Sequence, residues 1–377
     1  MHKYVPQIKM DYSHFKTDVS KRRRSAATRE LTKIAYAAPH NVISLAEGMP
    51  NEETFPFVEM RVKLNDGSSF VLEGEELGAA LQYIPSQGYP LLLQIAPHLV
   101  ELIPVVQDDF GIDPIGLRET LRSRRYSGKK MPKIMYINAT GANPTGTVLS
   151  LERRKEIYRI ACEYNFLILD DDPYHFMYFT EEAPKSFLSL DTEGRVIRLD
   201  SFSKVLSSGL RLGFITAAAP LVASIELHMQ SSHLHAPTLS QVIAYKLLKI
   251  WGYEKMMEHF RRIRLFYKQR RDLIAGLAKK HLHGLAEFSL PSAGFFLWIK
   301  VWGIKDTWKM VMQRGVTHGV LMAPGAAFMA DPSQPCNAIR ASFAKASYEE
   351  MDLALERLAI LIREELVLGD SITDSEI

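Results

Sequence analysis

The stretch "DSFSKVLSSGLRLGF", Asp200 to Phe214, decides the fold. One lysine, Lys204, sits among four serines and two glycines, and Arg211 follows seven residues later. Apolar runs bound it on both sides, "RVIRL" before and "LGFITAA" after. Small residues leave room for a ligand, and an amine with a guanidinium supplies cations to hold one.

Outward from this loop the chain alternates in period. "KIMYINAT" (Lys133 to Thr140) and "FLILD" (Phe166 to Asp170) are short apolar runs of strand type. Between them lies "LERRKEIYRIACEYN", where Ile157, Ile160 and Ala161 recur at helical spacing behind an expected N-cap, Ser150. Helical stretches follow from Leu221 to about Lys279. Strand–helix–strand alternation with apolar strands specifies an α/β fold, a mostly parallel central sheet with flanking helices on both faces.

After Lys279 the pattern changes. "GLAEFSLPSAGFFLWIKV" alternates; a short helix (Lys305 to Arg314), strands at "GVLMAP" and "NAIRASFA", and a last helix from Tyr348 to Leu366 follow. These elements make a smaller α+β C-terminal domain. We expect an N-terminal arm over 1–40, a large domain over 41–279 and a small domain over 280–377.

Composition excludes several function classes. A balance of 46 basic against 43 acidic residues, net +3, gives no footprint for nucleic acid. The run "KRRR" (Lys21 to Arg24) is too short to change that. No stretch of about eighteen apolar residues is present, so no membrane span is expected. Two cysteines, Cys162 and Cys336, do not make a disulfide framework and favour a reducing compartment. The basic start of the chain is diluted by Asp11, Asp18 and Glu30, so it carries no clear targeting signal. No cluster of metal-ligand spacing occurs.

Sheets of this type bind ligands in the loops after the carboxyl ends of their strands. Three such loops carry the polar residues: "ANPTG" with Asn143, "DDDPY" with Asp171 three residues before Tyr174, and "SFSK" with Ser201, Ser203 and Lys204. Each alone reads as an ordinary turn, an acidic surface loop or a surface lysine. Their joint occurrence reads as pyridoxal phosphate chemistry. An amine near apolar walls forms an imine with an aldehyde. A buried carboxylate keeps a pyridine nitrogen protonated, which makes the ring an electron sink. Hydroxyls and a bidentate arginine suit a phosphate.

These motifs, with "VISLAEGMPNEETFPF", "LQYIPSQGYPLL" and "PSAGFFLWIKV", resemble the fold-type-I pyridoxal-phosphate aminotransferases of classes I and II, and within them the kynurenine/2-aminoadipate aminotransferases. The resemblance implies a homodimer that moves an amino group from such an amino acid to a 2-oxo acid such as 2-oxoglutarate, in mitochondria or cytoplasm, with mitochondria favoured. It implies Lys204 as the covalent anchor and proton-moving base. Asp171 would pair with the pyridine nitrogen, and Tyr174 with Asn143 would hold the ring oxygen. Ser201, Ser203, Arg211 and the other subunit's counterpart of Tyr83 would hold the phosphate. Arg340 in "NAIRASF", with Asn143, would clamp the substrate carboxylate, and Gly48, Met49 and Arg29 would border the side chain. A cysteine-conjugate β-lyase, or a form with impaired catalysis, would share this machinery.

One part of that pattern is missing. Relatives place a small-residue turn at a helix N-terminus and a ring-stacking aromatic between the "YxPSxG" stretch and "NPTG". Here no Tyr, Phe, Trp, Gly, Ser or Thr occurs from Leu91 to Asp109. Several dozen residues are expected to be absent, with the junction near Gln94 and Ile95. That deletion should remove a helix, at least one strand and half of the phosphate cup.

Overall fold

The computed structural model describes residues 42–46, 48, 50–63, 66, 68–81, 101–232 and 235–373. Arg29, Met49, Tyr83 and the Gln94/Ile95 junction lie outside them. Strand β1 (Ile43–Ser44) is followed by the hairpin β2 (Glu59–Lys63) and β3 (Ser69–Glu73), then helix α1 (Gly74–Leu81). The short hairpin β4 (Gln107–Asp108) and β5 (Gly111–Ile112) precedes α2 (Pro114–Tyr126).

The central sheet follows. It comprises β6 (Ile134–Ile137), β7 (Leu167–Asp171), β8 (Val196–Ser201) and β9 (Gly213–Thr216), in that spatial order. The first three are parallel, and β9 returns antiparallel to β8. Helix α3 (Leu151–Tyr164) is the crossover from β6 to β7. Its expected N-cap holds: Ser150 Oγ accepts the Arg153 N–H at 3.2 Å. Asn165 ends it in the left-handed conformation, which Asn tolerates better than most residues.

One face of the sheet is packed as expected. Met135, Ile137, Ile168 and Val196 meet Leu117 and Leu121 of α2 and Ile157, Ile160 and Ala161 of α3 in one apolar core. The other face departs from expectation. Ile134, Tyr136 and Ile215 point that way and are exposed by 52%, 61% and 36%. Among the described residues nothing pairs with the outer side of β6 or of β9. Among the described residues the sheet thus has an open face and two unpaired edges, the result expected where a strand-and-helix segment is absent.

Helices α4 (Ala219–Ser232) and α5 (Thr238–His281) lead to the C-terminal unit; α5 breaks at Gly252, whose φ of 61° is left-handed. The four-stranded sheet there has the order β10 (Ala286–Phe288), β11 (Phe296–Val301), β14 (Ala338–Ser342), β13 (Ala323–Pro324), all antiparallel. It packs on α5 and on the last helix, α6 (Tyr348–Thr373), in a second core. Strand β12 (Val320–Leu321) pairs with β1 in parallel, so the start of the described chain is tied to the C-terminal unit. Both cysteines are free thiols. No helix of the described residues is long and apolar enough to cross a membrane.

Candidate active site

The carboxyl ends of β6, β7 and β8 deliver three loops to one edge of the sheet. The loop after β6 is pinned to β7 by Asn138. Its amide donates to the Asp171 carbonyl, and its Oδ1 accepts the Asn143 N–H at 3.1 Å. Asn138 thereby ties the Asn143 backbone to the Asp171 end of β7.

"DDDPY" has three fates for three aspartates, set by the pleat of the strand. Asp171 is half-buried on the open face; burial pushes its carboxyl up, against a Tyr136 hydroxyl that donates to Oδ2 at 2.6 Å and the charge of Lys204. Asp170 and Asp172 point to the packed face. Asp172 lies 2.9 Å from both His175 Nδ1 and an Arg198 nitrogen, and Arg198 also grips Asp200 with two bonds, at 2.7 and 2.8 Å. Burial and the neighbouring Asp172 charge raise Asp170 to about 7. This buried network fixes the strand ends and leaves Asp171 as the acid directed at the site.

In the opening stretch, Lys204 is 9% exposed and its Nζ donates to the Gly48 carbonyl at 2.9 Å. The amine stands 5.3 Å from the centre of the Phe295 ring, and Phe295 meets Tyr174 edge-on at 5.4 Å. Tyr174 in turn meets Phe296 at 6.1 Å, and Phe296 lies under the Arg340 guanidinium at 4.1 Å. A phenyl-lined floor thus joins Lys204, Tyr174 and Arg340. From below, His259 Nε2 holds the Val205 carbonyl at 2.7 Å, and burial lowers the imidazole's pKa so that it stays neutral.

Arg340 is buried between Phe296 and Phe328, the latter at 4.8 Å. One terminal nitrogen donates to Asn143 Oδ1 at 2.8 Å, the other to the Ala46 carbonyl at 2.6 Å. Burial lowers its pKa to about 10, so it remains charged at neutral pH. Its Nε has no protein acceptor. A buried cation with donors to spare is a receptor for an anion.

The serine–arginine side of the lysine loop is less enclosed. Ser201 Oγ accepts the Ser203 N–H at 3.1 Å, and Arg211 NH1 donates to Ser203 Oγ at 3.4 Å. Ser203 is buried, Ser201 half-buried and Arg211 exposed. Arg211 adopts a left-handed φ of 50°, a backbone state costly for a non-glycine residue and concentrated at functional sites. The loop is clamped to the end of α1: Ser207 and Ser208 hydroxyls donate to the Leu81 carbonyl at 2.5 and 3.2 Å. A Cβ on Gly209 would fall 2.6 Å from the Ala80 oxygen. Gly209→Ala is therefore expected to cost about 1–3 kcal/mol by overpacking against backbone; thermal melting of the variant measures it, and an unchanged midpoint would refute the clamp.

Sequence reasoning missed Tyr136, Asn138, the Gly48 carbonyl and the phenyl pair Phe295–Phe296. Tyr136 and Asn138 alternate along "KIMYINAT" and so share one face, which was a usable signal. A Cβ on Gly48 would lie 2.9 Å from Phe296, so glycine is required for this close approach. Among the described residues no cluster could hold a metal ion.

The family model for class I and II aminotransferases matches residues 84–358 of this chain. The chain belongs to that family. Membership brings pyridoxal 5'-phosphate as cofactor, and an amino acid and an oxo acid as substrates. This aminotransferase is 38% identical to the mitochondrial kynurenine/alpha-aminoadipate aminotransferase of Bos taurus, over 95% of this chain and 100% of the bovine one. It is 39% identical to the Rattus norvegicus protein of the same name, over 94% and 100%. Its fold is similar to that of the Pyrococcus horikoshii kynurenine aminotransferase, with a TM-score of 0.79 and 26% identity over 94% of this chain and 98% of the other. The bovine alignment runs over 425 positions, 48 more than the 377 residues of this chain. At least that many aligned positions therefore have no residue in this aminotransferase, in keeping with the several dozen expected from its sequence.

Proposed function

We propose that this aminotransferase takes the amino group of an amino acid of the kynurenine or 2-aminoadipate class and passes it to a 2-oxo acid such as 2-oxoglutarate. The observation that carries the reading is the phenyl floor joining a buried lysine to a buried arginine, beside a carboxylate at a strand end. The substrate class follows from the names of its mammalian relatives. Both are named mitochondrial, which favours the same compartment here over the cytoplasm.

The residues fit the cofactor. Asp171 would be the partner for the pyridine nitrogen, and the charge of Lys204 favours its ionised form. Asn143 and Tyr174 would hold the ring oxygen. Ser201, Ser203 and the strained Arg211 take the phosphate. Pyridoxal phosphate, when bound, withdraws electrons from the substrate's α-carbon and so acidifies its proton. Lys204 then moves that proton, and the apolar floor of Phe295 and Phe296 excludes water from the amine. Arg340, with Asn143, fixes the carboxylate and hence the direction in which the α-carbon presents its proton. Gly48 borders the substrate by its contact with Phe296. Roles for Met49 and Arg29 at the side chain, and for Tyr83 across a homodimer interface, rest on family resemblance.

Purified chain supplied with pyridoxal phosphate should convert kynurenine and 2-aminoadipate to their 2-oxo products in single half-reactions. A cysteine conjugate should give little pyruvate. Pyruvate and ammonia from the conjugate, with no product from the two amino acids, would overturn the assignment in favour of a β-lyase.

A further inference from the structure

Tyr136 stands on β6, the outer strand, with 61% of its surface exposed. Its hydroxyl nevertheless reaches β7 and donates to Asp171 Oδ2 at 2.6 Å. The register explains the reach. Tyr136 pairs with Leu169, so Asp171 is its diagonal neighbour on the same face. Asn138, two residues on, holds the Asp171 main-chain carbonyl from the same strand. Main chain and one carboxylate oxygen are thus both fixed from β6, and Oδ1 takes no part in either bond.

We propose that Tyr136 is a positioning residue for the cofactor's ring nitrogen: it holds Asp171 Oδ2 so that Oδ1 is left to receive the ring N–H. The inference rests on the assignment of Asp171 made above. Burial opposes the ionised form of Asp171, and the phenol's bond supports it. The ring is exposed, but burial of its hydroxyl end beside Asp171 and the Asp171 charge push the phenol's own pKa far up, so it remains a donor throughout the working pH range. No other feature of an exposed edge strand requires a hydroxyl there, since a phenylalanine would offer the same ring.

The test compares two probes on the full-length chain: pyridoxal phosphate, and its 1-deaza analogue, in which CH replaces the ring nitrogen. Dissociation constants are read by equilibrium dialysis for the unaltered chain and for Tyr136→Phe. The unaltered chain should prefer pyridoxal phosphate. Tyr136→Phe should weaken pyridoxal phosphate about tenfold, the cost of one bond to a charged group, and leave the analogue unchanged. An equal loss for both probes, or no loss for either, overturns the role of Tyr136. If the unaltered chain does not discriminate between the probes, the assignment of Asp171 falls, and this inference falls with it.

Discussion

Lys204→Ala is expected to lower transamination by about 10,000-fold or more, about 5.5 kcal/mol in the barrier. In the proposed reaction the side chain would supply both the covalent hold on the cofactor and the base that moves the α-proton, and no other amine shares its place beside Phe295 among the described residues. A loss of that size could also come from collapse of the loop, because Nζ binds the Gly48 carbonyl. Lys204→Arg separates the two. It keeps a charged donor for that carbonyl, yet a guanidinium neither attacks a carbonyl carbon nor accepts a proton at neutral pH. We expect Lys204→Arg to melt near the unaltered chain and to be as inactive as the alanine variant. Substantial activity in either variant would show that Lys204 is a structural amine.

Arg340→Ala is expected to raise KM for the amino acid by about 30- to 5,000-fold, the 2–5 kcal/mol that loss of one partner of a buried charge pair costs. Cofactor affinity should change little, because Arg340 faces Asn143 and the Ala46 carbonyl rather than the lysine loop. Removing a guanidinium from between Phe296 and Phe328 also opens a cavity, so the variant should be less stable. Arg340→Lys fills part of that space and keeps the charge, but a point cation cannot serve Asn143, Ala46 and a carboxylate together. It should therefore keep the fold and still lose substrate affinity. Equal losses of substrate and cofactor binding in Arg340→Lys would place the residue at the cofactor instead.

How much of this was legible in the sequence depended on the range of the interaction that fixed each residue. Ser150 and α3 were legible because a cap and a 3.6-residue period are local. Asp171 stood out as a candidate from its spacing to Tyr174, and Lys204 from its small-residue setting between apolar runs. Family resemblance, rather than pattern, supplied the role of Arg340; structure added the two phenyl rings that enclose it. Tyr136 was not legible as a partner, because its contact with Asp171 crosses 35 residues of chain. Asp170 and Asp172 look like their neighbour in sequence. Only the pleat, which turns both to the packed face and Asp172 onto His175 and Arg198, tells them apart from Asp171. Strands β1 and β12 are two residues each, too short for any periodic signal.

The missing segment was legible as an absence of residue types, and its consequence emerged in three dimensions. On the packed face β6, β7 and β8 are covered by α2 and α3, whereas among the described residues the face bearing Tyr136 and Asp171 has no such cover. The same face carries the proposed cofactor site. Its chemistry then depends on whether Asp171, Lys204 and the serine–arginine cradle hold pyridoxal phosphate from one side.

Reduction of the cofactor-loaded chain with borohydride, followed by peptide mapping, tests that dependence most directly. The reaction fixes the cofactor to the amine that holds it. The account predicts one pyridoxyl label, on Lys204 within "DSFSKVLSSGLRLGF", at near one equivalent per chain. A label spread over surface lysines, with Lys204 unmodified, would contradict it.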